Sequence, residues 1–404
     1  MHTQSSVFPL QGKVQQYSWG GFNFIPDLLG IEKNGKPYAE YWLGAHPSQP
    51  AEIAVHGELK KLNSWIEENK DVLGSGVASA FGELPYLLKM LDVRQMLSIQ
   101  VHPDKASAAQ AFEEENRRGV PLGAPNRNYK DKNHKPELMV ALSDFWLLHG
   151  FKPAHLLIDI FETIPDFSFL INIFEADGYK GLYQHVMTMP EEDVAAVLEP
   201  LLTRLAPLYQ NGELQKSSED FWAARAAQTF CKEGRLDRGI FSIYFFNLVH
   251  LKTGEGIYQA AGLPHAYLEG QNIEIMATSD NVLRAGLTEK HIDIGELMKH
   301  VRFEPTIPNV LPDKGENETV YKSEAAEFEL SRIQLTEHET FSFTTTAAEI
   351  LLQVAGRTTL TSGDNEASLQ RGQAVFVTAG TNVNVTAHAA ATFFRATVPE
   401  GGKN

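Results

Sequence analysis

Between about Pro153 and Arg238 glycines become sparse and apolar residues recur at helical spacing, as in Val194, Val197, Leu198, Leu201, Leu202 and Leu205. That period of three to four residues marks amphipathic helices. Pro165 and Pro190 fall where helices should break. Both flanks have another texture: short apolar runs separated by Gly- and Pro-marked turns, which read as strands. A chain of this kind is mainly β with an α insertion.

Before the insertion the strand-like runs are Ala51–Val55, Leu84–Met90 and Met96–Val101, and Pro121–Pro136 reads as a long polar loop. After it, Ile240–Leu251 (IFSIYFFNLVHL) and Glu255–Ala260 read as strands. The tail from about Thr319 alternates at Phe341–Phe343 and Ala374–Val377 and turns at Ser362-Gly-Asp-Asn365, the texture of a sandwich or jelly roll. A weak repeat links the two β regions. Leu251-Lys-Thr-Gly254 leads to Gly262, and Leu369-Gln-Arg-Gly372 leads to Gly380, each as turn, strand, turn. His265 follows Gly262 by three residues, and Val383 occupies the equivalent place in the second copy.

At 404 residues the chain has room for two to three domains of about 150 residues each. Cys231 is the single cysteine, which excludes an intrachain disulfide and a cysteine-based metal site. The absence of a basic-then-apolar leader and of a span of roughly 20 apolar residues points to the reducing cytoplasm, with no membrane partner. The net charge of −16, without a run of four Lys or Arg, argues against nucleic acid. It also means that an anionic substrate needs local cations beside the chemistry.

Four stretches can carry chemistry. In Leu97-Ser-Ile-Gln-Val-His-Pro103, alternation puts Gln100 and His102 on one face and Ile99 and Val101 on the other. In Tyr129-Lys-Asp-Lys-Asn-His-Lys-Pro-Glu137, Pro136 favours extended geometry before it, so Glu137 sits where a loop enters an apolar strand. His265 stands at another strand entrance, in Gly262-Leu-Pro-His265-Ala-Tyr267. Two imidazoles, one carboxylate and one amide suit a single borderline divalent ion such as zinc, acting as a Lewis acid. Spacing alone does not bring the four together. The fourth stretch, Ile273–Lys290, passes through a Ser-Asp-Asn turn to Arg284 and Lys290, cations of the kind the charge balance calls for.

These stretches resemble the type I phosphomannose isomerase family. The resemblance is carried by Tyr129–Glu137, by His265-Ala-Tyr-Leu-Glu-Gly…Glu274-Ile-Met-Ala-Thr-Ser-Asp-Asn-Val-Leu-Arg284-Ala-Gly, and by Tyr17-Ser-Trp-Gly20, Ala39–His46 and Ser98–Pro103. Where the family has Thr-Pro-Lys, this chain has Thr288-Glu-Lys290, which keeps the lysine. The resemblance implies a cupin-like jelly-roll catalytic domain (1–152 with 239–318), a helical insertion (153–238) and a second jelly roll without metal (319–404). It implies interconversion of mannose 6-phosphate and fructose 6-phosphate by proton transfer between C1 and C2 through a cis-enediol, with one zinc ion per chain. By motif position the zinc ligands are Gln100, His102, Glu137 and His265. Arg284, Glu274, Lys135 and Tyr267 match catalytic-pocket residues. Lys89, Ser98 and Lys290 match phosphate-holding positions, with Trp19 beside the substrate. Glu274 is a candidate general base, and His46 a candidate for assisting ring opening. The partner is then a small sugar phosphate, and the chain is read as a monomer, with a homodimer as the alternative. Two rivals remain open: a mononuclear iron oxygenase, which shares a two-His, one-carboxylate motif, and a non-catalytic sugar-binding protein.

Overall fold

The structure is a computed structural model that describes residues 6–232 and 234–399. Residues 1–5, on which part of the reading of the amino terminus rests, lie outside it.

Strand His265–Ala277 runs through the centre of the first β region. Its first half pairs with Phe145–Phe151, and its second half lies between Tyr86–Val93 and Glu137–Ala141. The change of partner occurs at Gly270, whose φ is +133°. A Cβ there would sit 2.6 Å from the Phe145 ring and 2.7 Å from the Asp144 carbonyl oxygen, so only glycine lets the strand pass. Glu40–Gly44 and Lys13–Gln15 extend the sheet beyond Tyr86–Val93, and Phe246–Leu251 extends it beyond Phe145–Phe151. Gly256–Gln259 pairs with Glu137–Ala141. The short strand Gln100–Val101 joins His265 on one side and Leu283–Arg284 on the other.

The tail forms a second β unit. Its larger sheet runs in the order Glu318–Tyr321, Glu329–Leu335, Ala391–Thr397, Glu349–Ala355, Ala374–Val377, then Val7–Gln11, Glu52–Val55 and Glu58–Lys61. Strands from near the amino terminus thus complete a sheet of the tail. A four-stranded sheet of Thr340–Thr344, Asn382–Ala387, Arg357–Ser362 and Asn365–Gln370 faces it across a core of Ile333, Leu351, Leu360, Val375, Val385 and Phe393. The two β units share another core, in which Tyr86, Ile273 and Ile275 meet Ile350, Phe376 and Phe394. Tyr86 also donates to the carbonyls of Ala348 and Ala396.

The repeat proves to be structural. Gly254, Gly262, Gly372 and Gly380 all adopt positive φ, and each copy carries a four-residue strand starting two residues after its first glycine, at Gly256–Gln259 and Ala374–Val377.

The regular elements between 153 and 230 are all helices, and Pro165 and Pro190 stand at the expected breaks. Val194, Leu198, Leu201 and Leu205 form a buried stripe on helix Glu191–Gln210 and pack with Leu157, Phe161, Phe167 and Trp222. One segment differs from the sequence reading. Gly239–Phe245, expected as the start of a strand, is a helix, and the strand begins at Phe246. All seven helical residues are buried, so the helix is apolar all round and its period leaves no trace in the sequence. Among the described residues no helix is long and apolar enough to cross a membrane.

Candidate metal centre

Glu137, the first residue of its strand, turns a buried carboxylate toward two imidazoles. Its Oε2 lies 3.2 Å from His265 Nε2 and its Oε1 lies 3.5 Å from His102 Nε2. The ligand atoms of the three side chains lie within 4.8 Å of one another.

The backbone orients both rings. His102 donates from Nδ1 to the Asn281 carbonyl at 2.8 Å, and His265 from Nδ1 to the Leu263 carbonyl at 2.9 Å. That tautomer leaves each Nε2 as a lone pair aimed at the carboxylate. His102 Nε2 is buried and has no hydrogen-bond partner. Burial holds the His102 pKa down to about 4, against the opposing pull of Glu137. Lone pairs therefore face carboxylate oxygens, an arrangement that calls for a cation between them. The carboxyl is ready for one: burial alone would raise its pKa, but Lys135 and His102 outweigh burial and hold it well below the usual range. Gln100, the fourth ligand read from the sequence, neighbours this trio through the backbone. It pairs in register with His265 and Arg284 and lines a cleft whose wall reaches the cluster through Gln100 and Lys135, while His102, Glu137 and His265 lie behind that wall. Two imidazole nitrogens, a carboxylate and an amide oxygen fit a borderline divalent ion.

The cleft encloses about 650 Å³. Trp19, Lys89, Ser98, Gln100, Lys135, Arg284 and Lys290 line it. Lys135 Nζ sits 2.8 Å from Glu137 Oε1. Lys89 Nζ contacts Glu274 at 3.3 Å and Glu40 at 3.7 Å. Burial disfavours its charge, but Glu40, Glu274 and Glu137 outweigh burial, so its pKa rises. Among the described residues no carboxylate pairs with Arg284 or Lys290. Burial lowers the Arg284 pKa, and burial and then Arg284 lower that of Lys290. Two neighbouring cations without a carboxylate partner thus stand at this end of the cleft, in a chain of net charge −16.

Tyr267 and Glu274 lie behind the lining, where the Tyr267 hydroxyl donates to Glu274 at 2.8 Å. Burial and the Glu137 charge push the Glu274 carboxyl up. His46 stands to one side. Its Nε2 is 3.3 Å from Asp280, its Nδ1 is 3.0 Å from the Ser48 hydroxyl, and it lines a neighbouring cleft rather than this one.

Sequence reasoning did not single out Glu40, Trp42 or Asp280, which also line the cleft. Trp42 donates to Glu40 and lies under the Lys89 ammonium. Glu40 and Trp42 alternate along an apolar strand, the same signal that marked Gln100 and His102.

Residues 7–154 match the model of the type I phosphomannose isomerase catalytic domain. The mannose-6-phosphate isomerase of Escherichia coli K12 is 36% identical over 390 residues, covering 94% of this chain and 97% of its own. The human mannose-6-phosphate isomerase is 34% identical over 417 residues, covering 94% and 95%. A solved mannose 6-phosphate isomerase from Salmonella typhimurium, bound to its substrate fructose 6-phosphate and zinc, superposes with a TM-score of 0.87 at 32% identity, over 98% of this chain and 100% of that one. A variant of the Salmonella typhimurium phosphomannose isomerase gives 0.88 over the same shares. With relatives this similar along nearly its whole length and a matching fold around the His102–Glu137–His265 cluster, the chain belongs to the type I phosphomannose isomerases.

Proposed function

We propose that Gln100, His102, Glu137 and His265 hold one zinc ion at the floor of a sugar-phosphate cleft. The chain is an aldose–ketose isomerase that interconverts mannose 6-phosphate and fructose 6-phosphate by moving a proton between C1 and C2. The observation that carries the residue assignment is the buried His102 Nε2, unpartnered and aimed at Glu137. When bound, zinc supplies Lewis acidity toward sugar oxygens.

The remaining roles belong to this chain's own side chains. Arg284 and Lys290 hold the anionic substrate, with Ser98 and Lys89 on the adjoining wall and Trp19 at the rim. Arg284 also offsets negative charge developing on oxygen as the proton leaves carbon. Glu274 is the proposed base. Burial and the Glu137 charge raise its pKa, which strengthens it as a base, and the Tyr267 hydroxyl and the Lys89 ammonium fix its two oxygens. Lys135 holds Glu137 from the cleft side. His46, tied to Asp280 and Ser48, assists ring opening through Asp280, which does line the cleft.

The division into a catalytic part (1–152 with 239–318), a helical insertion (153–238) and a metal-free tail (319–404) belongs to this proposal, with strands Val7–Gln11, Glu52–Val55 and Glu58–Lys61 of the first part completing the tail's sheet. So do the cytoplasmic setting, supported by the single cysteine, and the monomeric state. A coupled assay with mannose 6-phosphate and with mannose, before and after chelation, tests the function. Turnover of the phosphorylated sugar should vanish on metal removal and return with zinc. Full activity in metal-free protein would refute the reading, and oxygen consumption with Fe(II) would favour the oxygenase.

A further inference from the structure

The stretch of chain between Arg284 and Lys290 is held from outside the barrel. It leaves strand Leu283–Arg284 and forms part of the cleft wall with Leu287, Thr288, Glu289 and Lys290. One side is fastened to the strand segment that carries Ser98 and Gln100: Ala285 N–H donates to the Ile99 carbonyl at 2.9 Å, and Ile99 N–H donates to the Gly286 carbonyl at 3.0 Å. The other side meets Asp237, which follows the last helix of the insertion. Asp237 Oδ1 accepts from the backbone N–H of Leu287 at 2.7 Å, and Oδ2 from that of Thr288 at 3.0 Å. Oδ1 also accepts from Gly239 N–H at 2.7 Å.

This carboxylate fixes a backbone that would not otherwise hold its shape. Leu287 adopts φ +53°, a left-handed conformation that a branched residue rarely takes without external support. At the same point Gly286 packs onto Gly239 so closely that a Cβ on Gly286 would lie 2.4 Å from the Gly239 Cα. Three charge-assisted hydrogen bonds to one carboxylate are strong enough to select that conformation. Lys290 N–H then folds back onto the Thr288 hydroxyl at 3.1 Å, so the direction of the lysine follows from the backbone that Asp237 sets.

We infer that Asp237 is a positioning residue for recognition of the substrate's phosphate: by fixing the Leu287–Thr288 backbone it sets the separation of Arg284 and Lys290. The inference rests on the reading of those two cations as the anion-holding pair. Asp237 does not line the cleft, and Arg284 is held by its own pairing with Gln100, so Asp237 acts through Lys290 on binding of the anionic end and leaves the proton transfer alone.

The test compares Asp237→Asn and Asp237→Ala with the unmodified holoenzyme. Asn keeps an acceptor for Leu287 but turns an amide N–H toward the Thr288 N–H. The measurements are kcat and KM for mannose 6-phosphate, zinc content, melting temperature, and calorimetric affinity for inorganic phosphate. In Asp237→Asn, KM and the phosphate dissociation constant should both rise about tenfold, the effect of one lost charge-assisted bond. The alanine variant should show a larger rise. Zinc should stay at one per chain and kcat within about threefold. Unchanged KM and phosphate affinity would overturn the inference. A joint fall of zinc content, melting temperature and kcat in Asp237→Asn would also overturn it, by showing the carboxylate to be structural. Because phosphate affinity is read without turnover, an unmodified protein that proved inactive on mannose 6-phosphate would refute the functional reading while the binding comparison still decided the role of Asp237.

Discussion

At Glu137 two imidazoles and an ammonium converge on one carboxylate, and the single variants of this cluster should separate metal binding from catalysis. His102→Ala should lose both zinc and activity, read by metal analysis beside the coupled assay; full zinc occupancy would remove His102 from the ligand set. Arg284→Ala should keep its zinc and lose about 10²–10³ in kcat, as expected when a charge-stabilising donor is removed. An unchanged kcat would show Arg284 to be a bystander. The ligand types were legible in the sequence. Position placed Glu137 and His265 at strand entrances, which is where both strands begin, whereas the strand expected over Met96–Val101 is only Gln100–Val101 and ends before His102, which is as buried as Ile99 and Val101. The carbonyls that orient the rings, from Leu263 and Asn281, were not legible, because a backbone oxygen carries no residue signature. Glu40 and Asp280 were missed for a related reason: their importance comes from what folds next to them.

The strand His265–Ala277 carries His265 at one end and Glu274 nine residues on, so its course sets where the proposed base stands relative to the metal cluster. Gly270 permits the change of partner between them. Gly270→Ala should destabilise the protein by about 2–4 kcal/mol through backbone strain and the clash with Phe145. Denaturant titration reads this directly, and a loss below about 0.5 kcal/mol would mean that the strand can bend elsewhere. Elements with a clean period were readable: the helix stripe at Val194–Leu205, and the turn–strand–turn copies at Gly254 and Gly372. Gly239–Phe245 was not, since a segment buried on every side looks the same as helix or strand.

On the scale of the whole molecule, the tail reaches back to the loop that delivers Glu137. Glu327, buried between two tail strands, meets His134 Nε2 at 2.7 Å and Lys105 Nζ at 3.3 Å. Burial alone would raise its pKa, but His134 and then Lys105 outweigh burial and hold it at about 2, below the ordinary 4.5. A depressed carboxylate contributes stability above its unfolded pKa and loses it as pH falls from about 4.5 toward about 2. The contribution stays well under about 3 kcal/mol, because water screens the largely exposed Lys105 ammonium. Glu327→Gln should therefore lower the melting temperature at pH 7 and flatten its decline between about pH 5 and 2.5, whereas parallel curves for the two proteins would show that the Glu327 contacts with His134 and Lys105 add no stability. This contact, like the pairing of Val7–Gln11 with Ala374–Val377, joins residues remote in the chain, and no local pattern announces such a partner. The overall plan of β regions around a helical insertion was nonetheless readable from texture alone.

Anomalous diffraction at the zinc edge from crystals of the metal-loaded protein tests the central claim most directly. The account predicts a single strong peak per chain, about 2.0–2.2 Å from His102 Nε2, His265 Nε2, a Glu137 oxygen and the Gln100 amide oxygen. A peak elsewhere in the chain, or one at this site with either imidazole or Glu137 beyond bonding distance, would contradict it.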